Sequence, residues 1–230
     1  MSAPPEEQHL QQAISSRGDV GAALAALGAF DFKRVRIGAQ TAFWLNVFNA
    51  AVLRDETELA QATKVRDVER FFESARVRVA GYDYSLDDIE HGLLRGNVPK
   101  FGRPQPPMAR DDPRLSHMPL AYDERVHFGL YCAVRSSPPL VAFGAGEVDR
   151  QLEQATEDYL RREVKVEPDG SVVTLPRQFL WYREDFGSEQ GALAFALARL
   201  DDETVDRVDA RHGRVKVRYA EFDWSSVPGT

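Results

Sequence analysis

One cysteine, Cys132, is the whole thiol content of this 230-residue sequence. An internal disulfide is therefore impossible, and multi-cysteine zinc modules are excluded with it. No apolar run approaches the roughly 18 residues that a spanning helix needs. The first residues, with Pro4, Pro5, Glu6 and Glu7, lack the basic and apolar regions of a secretory leader. The expectation is a cytoplasmic protein with no membrane partner. Positive charge is also in short supply: 29 Lys and Arg face 36 Asp and Glu, a formal charge of −7. Such a chain has no general electrostatic reason to approach nucleic acid. The five histidines form no His-x-x-x-His pair, and no Gly-rich phosphate loop follows a strand pattern. No metal and no cofactor is expected. What remains is the composition of a globular chain, 43% hydrophobic and 28% charged.

The pattern along the chain predicts an α+β fold, a single domain over residues 1–230 with a buried central helix, a small mostly antiparallel sheet and surrounding helices. Residues 1–30 turn Ala- and Leu-rich before Gly28 and read as a short peripheral helix. From Gln40 to Leu53 the sequence is apolar almost all round, the mark of a helix buried on every side. Residues 76–85 alternate on either side of Gly81 and predict a hairpin. Ser85 stands as an N-cap with Asp88 three residues on, so residues 86–95 should be helical and stop at Gly96. Six of the 13 prolines lie between Asn97 and Tyr122, which makes that stretch a long loop that either covers a site, the favoured role, or divides two lobes. Val126 to Cys132 alternates and reads as a strand. Val148, Leu152, Ala155 and Tyr159 then mark an amphipathic helix. Strand, turn and strand follow over 164–175, then helices to about Arg211 and a late strand from Arg214.

Several residues invite a chemical reading. Asn46 and Asn49, three apart, share one face of the central helix. A buried amide needs partners, so they either tie neighbouring loops or form a polar wall that binds substrate. Cys132 and His127, five apart on a strand, lie on opposite faces and cannot pair locally, which makes Cys132 a core thiol. Ser137 precedes Pro138-Pro139 and fits an N-cap, where the helix dipole and free N–H groups would stabilise an anion. Glu90 shares a face with Leu86, Leu93 and Leu94; such a half-buried carboxylate either pairs with an arginine or orients a histidine base, His91 or His127. Arg95 follows on the same helix as a substrate-binding cation. Phe179, Trp181, Tyr182 and Phe186 read as core aromatics.

Four stretches, Ala42-Phe-Trp-Leu-Asn-Val-Phe-Asn-Ala, Tyr84-Ser-Leu-Asp-Asp-Ile-Glu-His-Gly-Leu-Leu-Arg, Val126 to Cys132 with Ser136-Ser-Pro-Pro-Leu, and Phe179-Leu-Trp-Tyr-Arg-Glu-Asp-Phe-Gly, together resemble the family called domain of unknown function 547. The likeness covers roughly residues 40–190, between an N-terminal helical extension, 1–38, and C-terminal helices and a strand, 188–230. Tyr219-Ala-Glu-Phe-Asp-Trp is similar to the family's C-terminal strand. Family members commonly carry Ser-Cys-Pro-Pro where this chain has Ser136-Ser137-Pro138-Pro139, and the resemblance implies a thiol-hydrolase-like site with a hydroxyl in place of the nucleophile. Two functions are compatible with that exchange. The first is a catalytically degenerate hydrolase-like fold that binds a small molecule, a peptide or a protein partner. The alternative is an active hydrolase or acyltransferase using Ser137, a histidine base and Glu90 as orienter. A hydroxyl needs strong base assistance that a thiolate does not, which favours the first.

Overall fold

The computed structural model describes residues 3–61 and 65–225 and has an α+β fold made of two compact units, residues 1–152 with 225–230 and residues 153–224. Among the described residues no helix is long and apolar enough to cross a membrane.

The larger unit is organised around one helix. Helices α1 (Pro5–Ser16) and α2 (Val20–Ala25) precede the central α3 (Gln40–Gln61), in which every residue from Ala42 to Leu53 is buried. That unbroken run follows from its apolarity on all faces. Each large side chain such as Trp44 or Phe48, fully enclosed, contributes on the order of 1.5–3 kcal/mol by leaving water. The N-terminal segment corrects the expectation of a single peripheral helix. Pro5 opens α1 at a position where its missing N–H costs nothing, and Arg17 in a left-handed conformation closes it. Leu10, Ile14, Leu24 and Leu27 of this region are all buried and pack in the same core as α3.

Helix α4 (Val65–Glu73) leads into the hairpin of β1 (Ala75–Val79) and β2 (Tyr82–Ser85), antiparallel as expected. Its two-residue turn is Ala80-Gly81, both at positive φ, the geometry that matches the twist of the strands. The predicted cap is present in full: the Asp88 N–H donates to Ser85 Oγ at 2.9 Å, and the Ser85 N–H donates back to Asp88 Oδ2 at 3.0 Å. The helix it starts is wider than expected. Residues Asp88–Leu94 form a π-helix, ended by Arg95 N–H on the Glu90 carbonyl at 2.9 Å.

The proline-rich stretch that follows is a loop, clasped at its neck by Asn97. Its amide donates to the Met108 carbonyl at 3.0 Å and accepts from the Met108 N–H at 3.2 Å. Met108 rests on Gly92 of the π-helix, where an added Cβ would lie 2.8 Å from its methyl carbon.

Residues 126–132 are not a strand. Asp123 accepts from the Arg125 N–H at 3.0 Å and starts a 3-10 turn over Glu124–Phe128, in which Val126, His127 and Phe128 are all buried. The sequence alternation therefore does not reflect alternating burial. Likewise no helix begins at Pro138: residues 138–143 are irregular, and the next helix, α5, is Val148–Glu163. Ser137 is consequently not an N-cap.

The smaller unit takes the later turns of α5, then β3 (Lys165–Val166), β4 (Val172–Leu175), α6 (Gln178–Trp181), α7 (Glu189–Leu197), α8 (Asp202–Asp209) and β5 (Lys216–Tyr219). Strand β3 pairs antiparallel with β4, and β4 pairs parallel with β5. Tyr159, Leu160, Val173, Leu175 and Phe179 form its interior. Phe179 packs on Phe186 at 4.6 Å and both are buried, whereas Trp181 and Tyr182, also expected in the core, are half-buried.

Candidate functional site

The amides of the central helix have structural partners. Asn46 Nδ2 donates to the Phe143 carbonyl at 2.8 Å and its Oδ1 accepts from the Phe143 N–H at 2.8 Å. Asn49 Nδ2 donates to the carbonyls of Gly129 at 3.0 Å and Val141 at 3.2 Å, and its Oδ1 accepts from the Tyr131 N–H at 2.9 Å. These bonds replace the strand and helix pairings that segments 129–131 and 141–143 lack, so both amides act as ties between loops.

Those ties bear on the turn that holds Ser137. Its hydroxyl accepts from the Cys132 N–H at 2.7 Å and donates to the Pro138 carbonyl at 2.8 Å. The Cys132 thiol is raised well above its ordinary pKa, first by burial and then by the charge of Glu90. A thiol held protonated in this way is a poor nucleophile at neutral pH. Glu90, His91 and Arg95 are each buried, at 8%, 2% and 7% exposure, and all three lie on or directly after the π-helix.

Arg95 Nη1 lies 2.9 Å from His91 Nδ1 and donates to the Pro99 carbonyl at 3.3 Å. A guanidinium can only donate, so His91 Nδ1 is the acceptor and the neutral ring carries its proton on Nε2. Burial pushes the His91 pKa down to about 4; Arg95, Lys100 and His127 push the same way against Glu90. In this state His91 is a hydrogen-bond donor through Nε2, since its basic lone pair faces Arg95. His127 is also buried, and the Tyr122 hydroxyl lies 3.2 Å from its Nε2. Glu90, His91, Arg95, His127 and Ser137 are thus each buried in the larger unit, while Cys132, bonded through its N–H to the Ser137 hydroxyl, is half-buried.

A pocket of about 260 Å³ opens beside His91, and its walls come from the end of α4, the start of the π-helix and the proline-rich loop. Of the expected site residues only His91 lines it. Asp87 is the residue that sequence reasoning missed. Its Oδ2 pairs with Lys100 Nζ at 2.8 Å and its Oδ1 lies 3.8 Å from His91 Nε2. Burial raises the Asp87 carboxyl to about 6, against the pull of Lys100. Asp88 on the same wall is held by Arg114 Nη1 at 2.9 Å, and Glu73 by Arg103 Nη2 at 2.6 Å. The pocket presents three carboxylates, an ammonium, a guanidinium and an imidazole within one concave surface. Asp87 reads in sequence as helix-start acid, and a loop lysine 13 residues away has no periodicity to connect it. Among the described residues no group of three or more His, Cys, Asp or Glu side chains is arranged to hold a metal ion.

Among curated proteins and among solved structures, nothing matches this chain. A family model does. It covers residues 32–160, more than half of the sequence. The match takes in the central helix, the capped π-helix and the Ser137 turn; the Phe179–Gly187 stretch lies beyond its end. The chain belongs to the family described as protein of unknown function, DUF547.

Proposed function

We propose that this chain binds a small zwitterionic ligand, an amino acid or a short peptide, in the pocket beside the π-helix, and that Ser137 shapes the interior without attacking a substrate. The Asp87–Lys100 pair carries this reading. A largely buried carboxylate and an ammonium 2.8 Å apart on the wall of an open pocket can each exchange partners. The ligand's ammonium takes Asp87, while its carboxylate takes Lys100 and Arg103. His91 Nε2–H supplies a neutral donor beside them. A volume of about 260 Å³ is near the small end of ligand pockets, about 300–1,000 Å³, and suits a molecule of this size. The Ser137 hydroxyl, engaged by a backbone N–H on one side and a carbonyl on the other, supports the non-catalytic half of the reading.

Catalysis through Ser137, with a histidine base and Glu90 as orienter, is the second reading; Ser137, Glu90, His91 and His127 are all buried in the larger unit. Here His127 is the better base, because Arg95 occupies the His91 lone pair.

Isothermal titration at pH 7.5 with the free amino acids, diglycine and triglycine tests the first reading. Saturable binding to at least one probe is expected, weakened tenfold or more in Asp87→Asn. No heat from any probe, or equal binding by the variant, overturns it. Nitrophenyl esters and anilides of the same amino acids test the second; turnover abolished by Ser137→Ala would establish the hydrolase.

A further inference from the structure

We propose that Glu7 is a proton-binding site that controls the docking of α1 on the central helix, which seats firmly when the carboxyl is neutral and loosens when it ionises. Glu7 is only 9% exposed. Its Oε1 is buried and, among the described residues, has no hydrogen-bond partner. Beside it lies a cavity of about 20 Å³ between Leu10 and Gln11 of α1, Phe43 and Asn46 of α3, and Phe143. That volume admits one water molecule, which can satisfy a neutral carboxyl but hydrates a carboxylate poorly.

The charged groups nearby do not rescue the anion. On the same helix Glu6 repels it, and Arg34, the cation that attracts it, is held on Glu6 Oε1 at 3.0 Å. The faces of α3 and of the loop at Phe143 contribute only neutral residues to the cavity. The first turn of a helix ordinarily favours an anion, yet burial outweighs it and pushes Glu7 from 4.5 up to about 7.

The sign follows from linkage. A carboxyl with a raised pKa in the docked state stabilises docking relative to the undocked state at low pH, and that advantage is lost as pH rises from 4.5 through about 7. The docking constant falls about 300-fold over the full range, about 30-fold of it between pH 5.5 and 8.5.

Hydrogen exchange of the α1 amides from Leu10 to Ile14, corrected for intrinsic rates and compared with the amides of Trp44 to Val52, reads this directly. Protection of α1 should drop about 30-fold from pH 5.5 to 8.5 while the central helix holds. Glu7→Gln should abolish the drop and Glu6→Gln should retain it. A pH-independent α1 in the natural protein, or a drop that survives Glu7→Gln, overturns the proposal. Should Glu7→Gln fail to fold, the carbon-13 titration of the Glu7 carboxyl in the natural protein decides: a midpoint near 7 supports it and one near 4.5 overturns it.

Discussion

Replacing Asn49 by alanine removes more stabilisation than its short side chain suggests. The side chain is completely buried and makes bonds to Gly129, Val141 and Tyr131. Truncation strands three backbone groups rather than one side chain. The Gly129 carbonyl lies in the core and loses its donor without access to water, a cost of about 1–3 kcal/mol. The Val141 carbonyl and the Tyr131 N–H are half-buried, and each loses a bond worth about 1 kcal/mol net. The sum is about 3–5 kcal/mol, a large fraction of the stability of an ordinary domain. Urea unfolding at pH 7, followed by far-ultraviolet circular dichroism, should show the midpoint shift with an unchanged slope. Hydrogen exchange should show the Tyr131 amide opening before the central helix does. Asn49→Asp keeps the acceptor for Tyr131 but aims a carboxylate at two carbonyls, so it should be least stable at neutral pH and recover as the solution is acidified. A loss below about 1 kcal/mol in Asn49→Ala would show that these bonds do not hold the loops and would return Asn49 to the list of ligand-binding residues.

Other substitutions report on other parts of the structure. Gly170→Ala places a Cβ 2.1 Å from the Arg207 carbonyl oxygen at a φ of +71°; neither backbone can yield cheaply, and a loss of more than about 3 kcal/mol should appear as collapse of amide protection in β4 and β5. Gly129→Ala meets Leu152 and Phe143 carbons at 3.0 Å, an overpacking that should cost about 1–3 kcal/mol in urea titrations; a neutral result would mean that the core there is loose. The acid side of the stability curve tests Asp87 and His91 together. His91, lowered from 6.5 to about 4, contributes stability that is present above 6.5 and lost as pH falls through 4. Asp87, raised from 3.8 to about 6, works in the opposite sense, its contribution being present below 3.8 and lost as pH rises through 6. The two partly cancel, so Asp87→Asn should lose about 2 kcal/mol more than the natural protein between pH 6.5 and 4.5. Equal losses in the two proteins would refute the opposition.

Local chemistry was legible in the sequence wherever the physics was local. The central helix announces itself because apolar residues on every face have only one place to go, and Ser85 with Asp88 announces the cap because both bonds close within four residues. The π-helix is not legible: its extra width depends on packing, with Met108 seated on Gly92 and Arg95 reaching back to His91. The Cys132 region misleads for a related reason. Its alternating apolar residues fit a strand and its double proline fits a helix start, yet neither forms. The backbone of 129–131 and 141–143 bonds to Asn46 and Asn49 instead of to a neighbouring strand or to itself. Two amides on one helix face thus determine the path of the segment that carries Cys132 and Ser137, from a position about 80 to 97 residues earlier in the chain. The same displacement from local to distant control explains why Asp87 was missed. As a cap-region acid it is unremarked; it becomes a pocket carboxylate only because Lys100 is brought to it by a loop whose neck Asn97 and Met108 hold closed. Opening that clasp, by Asn97→Ala, should therefore weaken ligand binding at Asp87 without touching a pocket residue. Binding left intact in this variant would mean that Lys100 finds Asp87 unaided.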